Sequence, residues 1–292
     1  MTLFLLVVAF GLLIVFPNTA FDGAKSGLLL WFQVILPTLF PFLVITNMME
    51  RLLPISSGKL YTLFTGFLSG YPIGAKSCNF VVKEGKLSKK EGQFYLSFCN
   101  NASPAFLLNY VFIHCLNVSN KRFLLLGILY LSAILSALFI YPKNKPLRLQ
   151  SIDSTPVIDQ KKFTNKTLSF DTVIMASFEI ITKIGGYIIL FSLIANIIRM
   201  HLPLPGFIKI IVCGTLEITT GVNLIYKSVL SPSIKLLITM FIASFGGISA
   251  LFQTQAVIKD SSLSIRTYIN LKLVGSGICV CITYLLLLFN II

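Results

Sequence analysis

Long runs of this sequence carry no charge at all, and that constrains the fold more than any motif does. Gly27–Met49 and Phe123–Tyr141 contain no Asp, Glu, Lys or Arg. A bilayer core of ~30 Å is crossed by about 20 apolar residues in a helix. In lipid every backbone N–H and C=O must find a partner within the protein, so such runs are helical. Leu3–Phe16, Gln93–Leu116, Phe170–Met200 and Tyr268–Ile292 are further candidates. The chain is 55% hydrophobic and 12% charged, whereas soluble domains carry about 25% charged residues. The expected class is an all-α polytopic membrane protein, with residues 1–292 forming a single integral membrane domain.

The formal net charge of +14 would suggest nucleic acid in a soluble protein. Here no basic stripe is interleaved with aromatics, and lysines and arginines mark cytoplasmic loops instead. The apolar N-terminus has no Lys or Arg before it, so Thr2–Phe16 reads as a retained short helix rather than a leader. Cys78, Cys99, Cys115, Cys213, Cys279 and Cys281 form no CxxC pair and lie in apolar stretches, where cysteine acts as a small hydrophobe. P-loop, GxSxG and HExxH signatures are missing. The expectation is a protein that is not an enzyme and uses no cofactor and no metal centre.

Two apolar stretches, Leu60–Val82 and Leu236–Ile258, are interrupted, and Phe207–Tyr226 holds Glu217 and two glycines. Setting Gly70 on Gly246 without gaps lays "VKEGKLSKKE" on "IKDSSLSIRT". A second, weaker match sets Phe32-Gln33 on Phe178-Glu179. The expectation is two related halves: a helix over 1–26, a first repeat over 27–141, a polar linker over 142–168 and a second repeat over 169–292. Each half should have a re-entrant hairpin and a broken helix, as in secondary transporters. If Phe207–Tyr226 crosses once, the halves point the same way; if it dips in and returns, they are inverted. The weaker charge of the loop Lys259–Arg266 favours inverted repeats.

"GFLSGYPIGAKSCNF" (Gly66–Phe80) is a poor membrane helix. Gly66, Gly70 and Gly74 recur every four residues, which permits close backbone contact. Pro72 removes an N–H and disfavours helix at Tyr71. Irregular backbone at membrane depth survives only when buried or lining a cavity. Lys76, Ser77 and Asn79 would supply a lining. "FCNNASPAF" (Phe98–Phe106) is a second break, through Asn100, Asn101, Ser103 and Pro104. The Gly70/Gly246 register sets Ser77 and Asn79 over Gln253 and Gln255, and Cys99-Asn100-Asn101 over Gly275-Ser276-Gly277. Gly275 and Gly277 are therefore expected as a further helix break. Glu217, Glu179 and Lys183 are charges inside apolar stretches, where each costs about 2.5–3.5 kcal/mol at the bilayer centre. Glu179 and Lys183, four apart, can pair with each other; Glu217 is left to hold a coupling cation or proton, or to pair with Lys76.

"WFQVILPTLFPF", "SGYPIGAK", "GKLSKKE", "FCNNASPAF" and "LEITTG" together resemble the YlbJ-type sporulation integral membrane proteins. The resemblance places the chain within the larger group carrying the nucleoside-recognition or Gate domain, which is similar to concentrative nucleoside transporters. The resemblance implies inverted repeats with re-entrant hairpins and a role in endospore formation, in a membrane surrounding the forespore. It also implies a substrate, dipicolinate. Lys76 would then be the countercharge, with Ser77, Asn79, Asn100, Asn101, Ser103, Gln253 and Gln255 orienting the anion. The partners expected are this anion, the lipid bilayer, and a coupling ion or other sporulation membrane proteins. A nucleoside carrier on the same fold and a non-transporting scaffold for spore assembly are the rival expectations.

Overall fold

The computed structural model describes residues 10–11, 13–52, 58–141 and 170–292. The linker 142–168 and most of Thr2–Phe16 lie outside them. The described residues are helical throughout, with no strand. Among the described residues five helices are long and apolar enough to cross a membrane: Pro17–Ile45, Arg122–Ile140, Phe170–His201, Pro232–Ile258 and Ile265–Leu288.

The first of these runs as α1 (Pro17–Leu30), a wide turn at Trp31–Ile35, and α2 (Leu36–Leu52). The expected helix Gly27–Met49 therefore begins ten residues earlier, and the boundary at 26 falls inside α1. Pro37 and Pro41 each lack an N–H, and a wide turn just before such residues keeps the chain helical while bending it. After a hairpin, α3 (Gly58–Ser69) and α4 (Ile73–Lys83), come α5 (Lys89–Cys99), a wide helical segment at Phe106–Cys115, and α6 (Arg122–Ala137). The second half has α7 (Phe170–His201), α8 (Gly206–Leu216), α9 (Ile218–Tyr226), α10 (Pro232–Phe245), α11 (Gly247–Ile258) and α12 (Ile265–Leu288).

α1 and α7 pack antiparallel through small residues. A Cβ on Gly23 or Gly27 would lie 2.8 Å from atoms of α7, and one on Gly185 would lie 2.6 Å from the Trp31 ring. The Trp31 indole donates to the Ile181 carbonyl at 3.0 Å. Such close approach is how helices associate where lipid offers no hydrophobic drive.

Two short hairpins enter from opposite ends. Gly58 sits against Val81 and Lys86, so α3 and α4 start and finish together. α8 and α9 fold back on each other so closely that a Cβ on Gly221 would lie 2.2 Å from the Gly214 Cα. The arms have 12, 11, 11 and 9 residues, about 14–18 Å at 1.5 Å per residue. None reaches across a ~30 Å core. The α3–α4 mouth lies near Ser264, because Gln93, just past it, accepts from the Ser264 N–H (2.7 Å) and donates to the Ser264 carbonyl (3.1 Å). The α8–α9 mouth lies at the other end, where Lys235 reaches the Tyr226 carbonyl. α10 starts there and runs antiparallel to α12, with Met240 by Cys279 and Ser244 by Lys272.

Several expectations need correction. Leu236–Ile258 is not a hairpin. It is a broken helix, α10 then α11, and α11 continues to the Ser264 end, where Val257 meets Asn79 and Leu263 meets Gly92. The second hairpin is Phe207–Tyr226. Gly275 and Gly277 do not break a helix, because α12 is continuous through them; Gly275 lets Ser136 of α6 approach instead. The Gly70/Gly246 register thus lays a hairpin on a broken helix. Its similarity has a local cause. Ser88 and Ser264 are both helix N-caps, accepting from the N–H groups of Glu91 and Thr267 at 3.2 Å. Each follows a buried leucine, Leu87 or Leu263, which is a common way to start a helix. Ser88→Ala and Ser264→Ala should each lower stability by about 1 kcal/mol, read as thermal melting in detergent.

The weaker match behaves differently. Setting Phe32 on Phe178 shifts the chain by half of its 292 residues. That one shift also sets Tyr71 on Glu217, Cys99-Asn100 on Phe245-Gly246, and Ser103 on Ser249. Hairpin tip then lies on hairpin tip, and helix break on helix break.

Candidate functional site

All four interruptions converge on one cavity. Its wall takes Ser69 and Tyr71 from the first hairpin tip, and Glu217 and Thr219 from the second. Ala102 and Ser103 come from the break after α5, and Gly246, Ser249 and Gln253 from the break before and within α11. Ile35 and Thr38 at the wide turn and Ile184 and Ile188 of α7 close it with mostly apolar surface. Under the half-chain shift Tyr71 and Glu217, Ser103 and Ser249, and Thr38 and Ile184 are equivalent pairs, and every member lines the wall. The cavity volume is about 40 Å³, enough for roughly three waters at ~10–15 Å³ each.

The first tip is built by glycine. Gly70 has φ +71°, a left-handed conformation that favours glycine, and the Tyr71–Pro72 peptide is cis. A Cβ on Gly66, Gly70 or Gly74 would lie 2.6–2.7 Å from atoms of Cys99, Ser103 or Asn101. The four-residue glycine spacing therefore seats the tip against the neighbouring break. The Tyr71 N–H donates to the Asn101 carbonyl at 2.7 Å. Pro104 stands in the first turn after that break, where its missing N–H leaves no helix bond unmade.

Asn100, fully buried, joins three elements. Its Oδ1 accepts the Ala75 N–H at 3.1 Å, near the start of α4. Its Nδ2 donates to Thr254 Oγ1 (2.9 Å) and the Tyr268 hydroxyl (3.0 Å). The Tyr268 hydroxyl donates in turn to the Asn100 carbonyl at 2.7 Å. Asn101 donates to the Phe98 carbonyl at 2.6 Å and accepts from Lys272. Both asparagines thus hold the broken backbone together, the service irregular chain demands in a membrane.

Lys272 escaped the sequence reading. It is 4% exposed, and its ammonium lies between the ends of α5 and α10, on Asn101 Oδ1 and the Ser244 carbonyl (3.4 Å). It also stands 5.6 Å over the Tyr268 ring. Helix C-termini carry partial negative charge, so a cation there faces two helix ends at once, bonding a backbone carbonyl at one and an amide side chain at the other. One lysine inside the 24-residue helix α12 was the available signal, by the same intramembrane-charge argument that selected Glu217.

Glu217 is 1% exposed and caps its own helix. Its Oε1 accepts the Thr219 N–H at 3.0 Å and its Oε2 the Thr220 N–H at 2.6 Å. Pairing with Lys76 does not occur. Lys76 is half-buried on α4, off the cavity wall, close enough to α7 for its charge to act on Glu179. Glu179 and Lys183 pair with each other on an exposed face.

Of the other expected residues, Ser103 and Gln253 reach the wall. Gln253 donates to Ser249 Oγ at 3.2 Å, and its Oε1 is buried with no hydrogen-bond partner. Ser77 and Asn79 lie away from the wall. Asn79 donates to the Val257 carbonyl at 2.9 Å, while its Oδ1 and the Ser77 hydroxyl are buried without partners. Gln255 faces outward.

Comparison with known proteins agrees with this architecture. The chain is 22% identical over 307 aligned positions to the sporulation integral membrane protein YlbJ of Bacillus subtilis, covering 88% of this chain and 75% of that protein. This chain is thus similar to a sporulation membrane protein. No family profile matches it, and no solved structure does. With five helices able to span a bilayer among the described residues, it is an integral membrane protein.

Proposed function

We propose that this protein is a secondary-type transporter that carries a small organic anion, dipicolinate, across a membrane during endospore formation. One observation carries the reading: hairpin tips and helix breaks from both halves meet around one cavity, into which several hydroxyl and amide groups are set among apolar side chains. Interrupted helices from two repeats, facing a midplane site, are how secondary transporters hold their substrates. We read the two hairpins as re-entrant and the halves as inverted repeats, since the hairpins open at opposite ends. Similarity to a sporulation membrane protein supports the cellular setting.

Ser103, Gln253, Tyr71, Thr219 and Ser249 supply hydroxyl and amide groups to the wall, while Lys272 makes the adjoining helix ends electropositive. In this reading a planar dicarboxylate enters as the two hairpin tips part. One half rocking against the other does this and exposes the cavity to each side in turn.

The test is uptake by the full chain in proteoliposomes. Saturable entry of labelled dipicolinate, with none of labelled uridine, is the expected result. Uridine uptake without dipicolinate uptake assigns a nucleoside carrier. Uptake of neither, by protein that melts cooperatively, removes transport and leaves a scaffold.

A further inference from the structure

The two ways out of the cavity differ in chemistry. Phe106 of the wall begins a ladder of rings: Tyr110 at 5.5 Å, His114 a further 5.7 Å on, and Tyr226 5.9 Å beyond that. Tyr226 stands at the α8–α9 mouth, so packed rings occupy the path to that end. Toward the α3–α4 mouth the side chains are hydrophilic instead. On α4, which starts two residues after Tyr71 of the wall, Lys76 is half-buried. On α7, Lys183 precedes the wall residue Ile184, and Glu179 lies one turn nearer that mouth. On α11, Gln255 stands two residues past Gln253 of the wall and is exposed.

These residues face one space. Phe252 lies three positions from Gln255 on the same side of α11, and it meets Phe191 of α7 at 5.6 Å. Lys76 is close enough to α7 for its charge to act on Glu179. The Glu179 and Lys183 side chains are 67% and 68% exposed, beside the cavity and far from either helix end. Charged groups inside a spanning helix turn to protein or to a water-filled space, not to hydrocarbon.

We propose that this space is a water-filled vestibule that receives a carboxylate anion on its way to the cavity. Its cargo rests on the transport reading; its existence does not. Two lysines against one glutamate leave a positive balance. Lys183 donates to Glu179, and an ammonium has three donors, so capacity for an anion remains. Gln255 adds an amide. A cleft lined by one sign of charge concentrates solutes of the opposite sign.

The test is thiol labelling of the full chain in membrane vesicles. Among the described residues Cys281 is the exposed cysteine, and Cys281→Ser gives the background. In it, Gln255→Cys should react with a water-soluble, membrane-impermeant reagent. It should do so in the same vesicle orientation as Lys89→Cys, an exposed position at the start of α5 beside the α3–α4 mouth. Reaction in the opposite orientation, reaction only with a membrane-permeant maleimide, or no reaction of the folded protein overturns the vestibule. Charge is read from two methanethiosulfonates, one bearing a sulfonate and one a quaternary ammonium. Lys76→Gln should lower the sulfonate-to-ammonium rate ratio at Gln255→Cys by about tenfold at low salt. Lys183→Gln, on the exposed face, should do the same and decides alone if Lys76→Gln fails to fold. An unchanged ratio overturns anion capture. Labelling as expected without dipicolinate uptake removes that cargo and keeps the vestibule.

Discussion

Gly70→Ala should unfold much of the protein's central contact. The residue sits at φ +71°, and an added Cβ would lie 2.6 Å from the Ser103 N and 2.7 Å from the Asn101 O. These are backbone atoms of a segment pinned by Asn100 and Asn101, so they cannot move aside cheaply. Strain of about 1–3 kcal/mol for the left-handed conformation adds to roughly 1–3 kcal/mol for overpacking. The expected loss is about 2–6 kcal/mol, seen as a large fall in melting temperature. Gly85 separates the two causes. It has φ +69° but nothing within 4 Å of an added Cβ, so Gly85→Ala should lose only about 1–2 kcal/mol. Equal effects at the two positions would show that packing against the break contributes nothing.

Asn100→Ala is the second large loss expected. It removes the acceptor for the Ala75 N–H and the donor to Thr254 and Tyr268 in a fully buried position. Buried groups left without partners cost about 1–3 kcal/mol each, so a loss of about 3–4 kcal/mol is expected. Tyr268→Phe should lose about 1–3 kcal/mol on the same ground. Because the two residues bond each other twice, the double variant should fall short of the sum by about 1 kcal/mol. Strict additivity in melting experiments would mean that the asparagine and the tyrosine act separately.

Much of this arrangement is written locally and can be read locally. Gly70 and Pro72 mark a place where helix cannot continue, and Asn100, Asn101 and Pro104 mark another, because each acts through its own backbone. Glu217 stood out because lipid penalises lone charge. What it does there, capping α9, was hidden by the strictness of the α8–α9 turn, which rests on Gly214 and Gly221 touching across seven residues. The duplicated register was the main misreading. Leu87-Ser88 and Leu263-Ser264 look alike because helix starts share one chemistry, whereas the half-chain shift that lays hairpin tip on hairpin tip pairs residues as unlike as Tyr71 and Glu217. Lys76 was chosen over Lys272 because it neighbours a break in sequence; Lys272 neighbours two breaks in space. Which polar side chains face the cavity and which lock the walls, as with Ser103 against Asn100, depends on helix rotation, and apolar composition on every side leaves that rotation unmarked.

The short arms of the two hairpins bear on biosynthesis. A segment too brief to cross cannot be released into lipid by itself as it leaves the ribosome. Residues 58–83 pack on Cys99–Ser103 of their own half, but Asn79 and the neighbouring Gln93 and Asn100 complete their bonding only at Val257, Ser264 and Thr254. The nascent amino-terminal half must therefore be sheltered until the carboxy-terminal half is translated, and a chain truncated at residue 141 should be a substrate for membrane proteolysis.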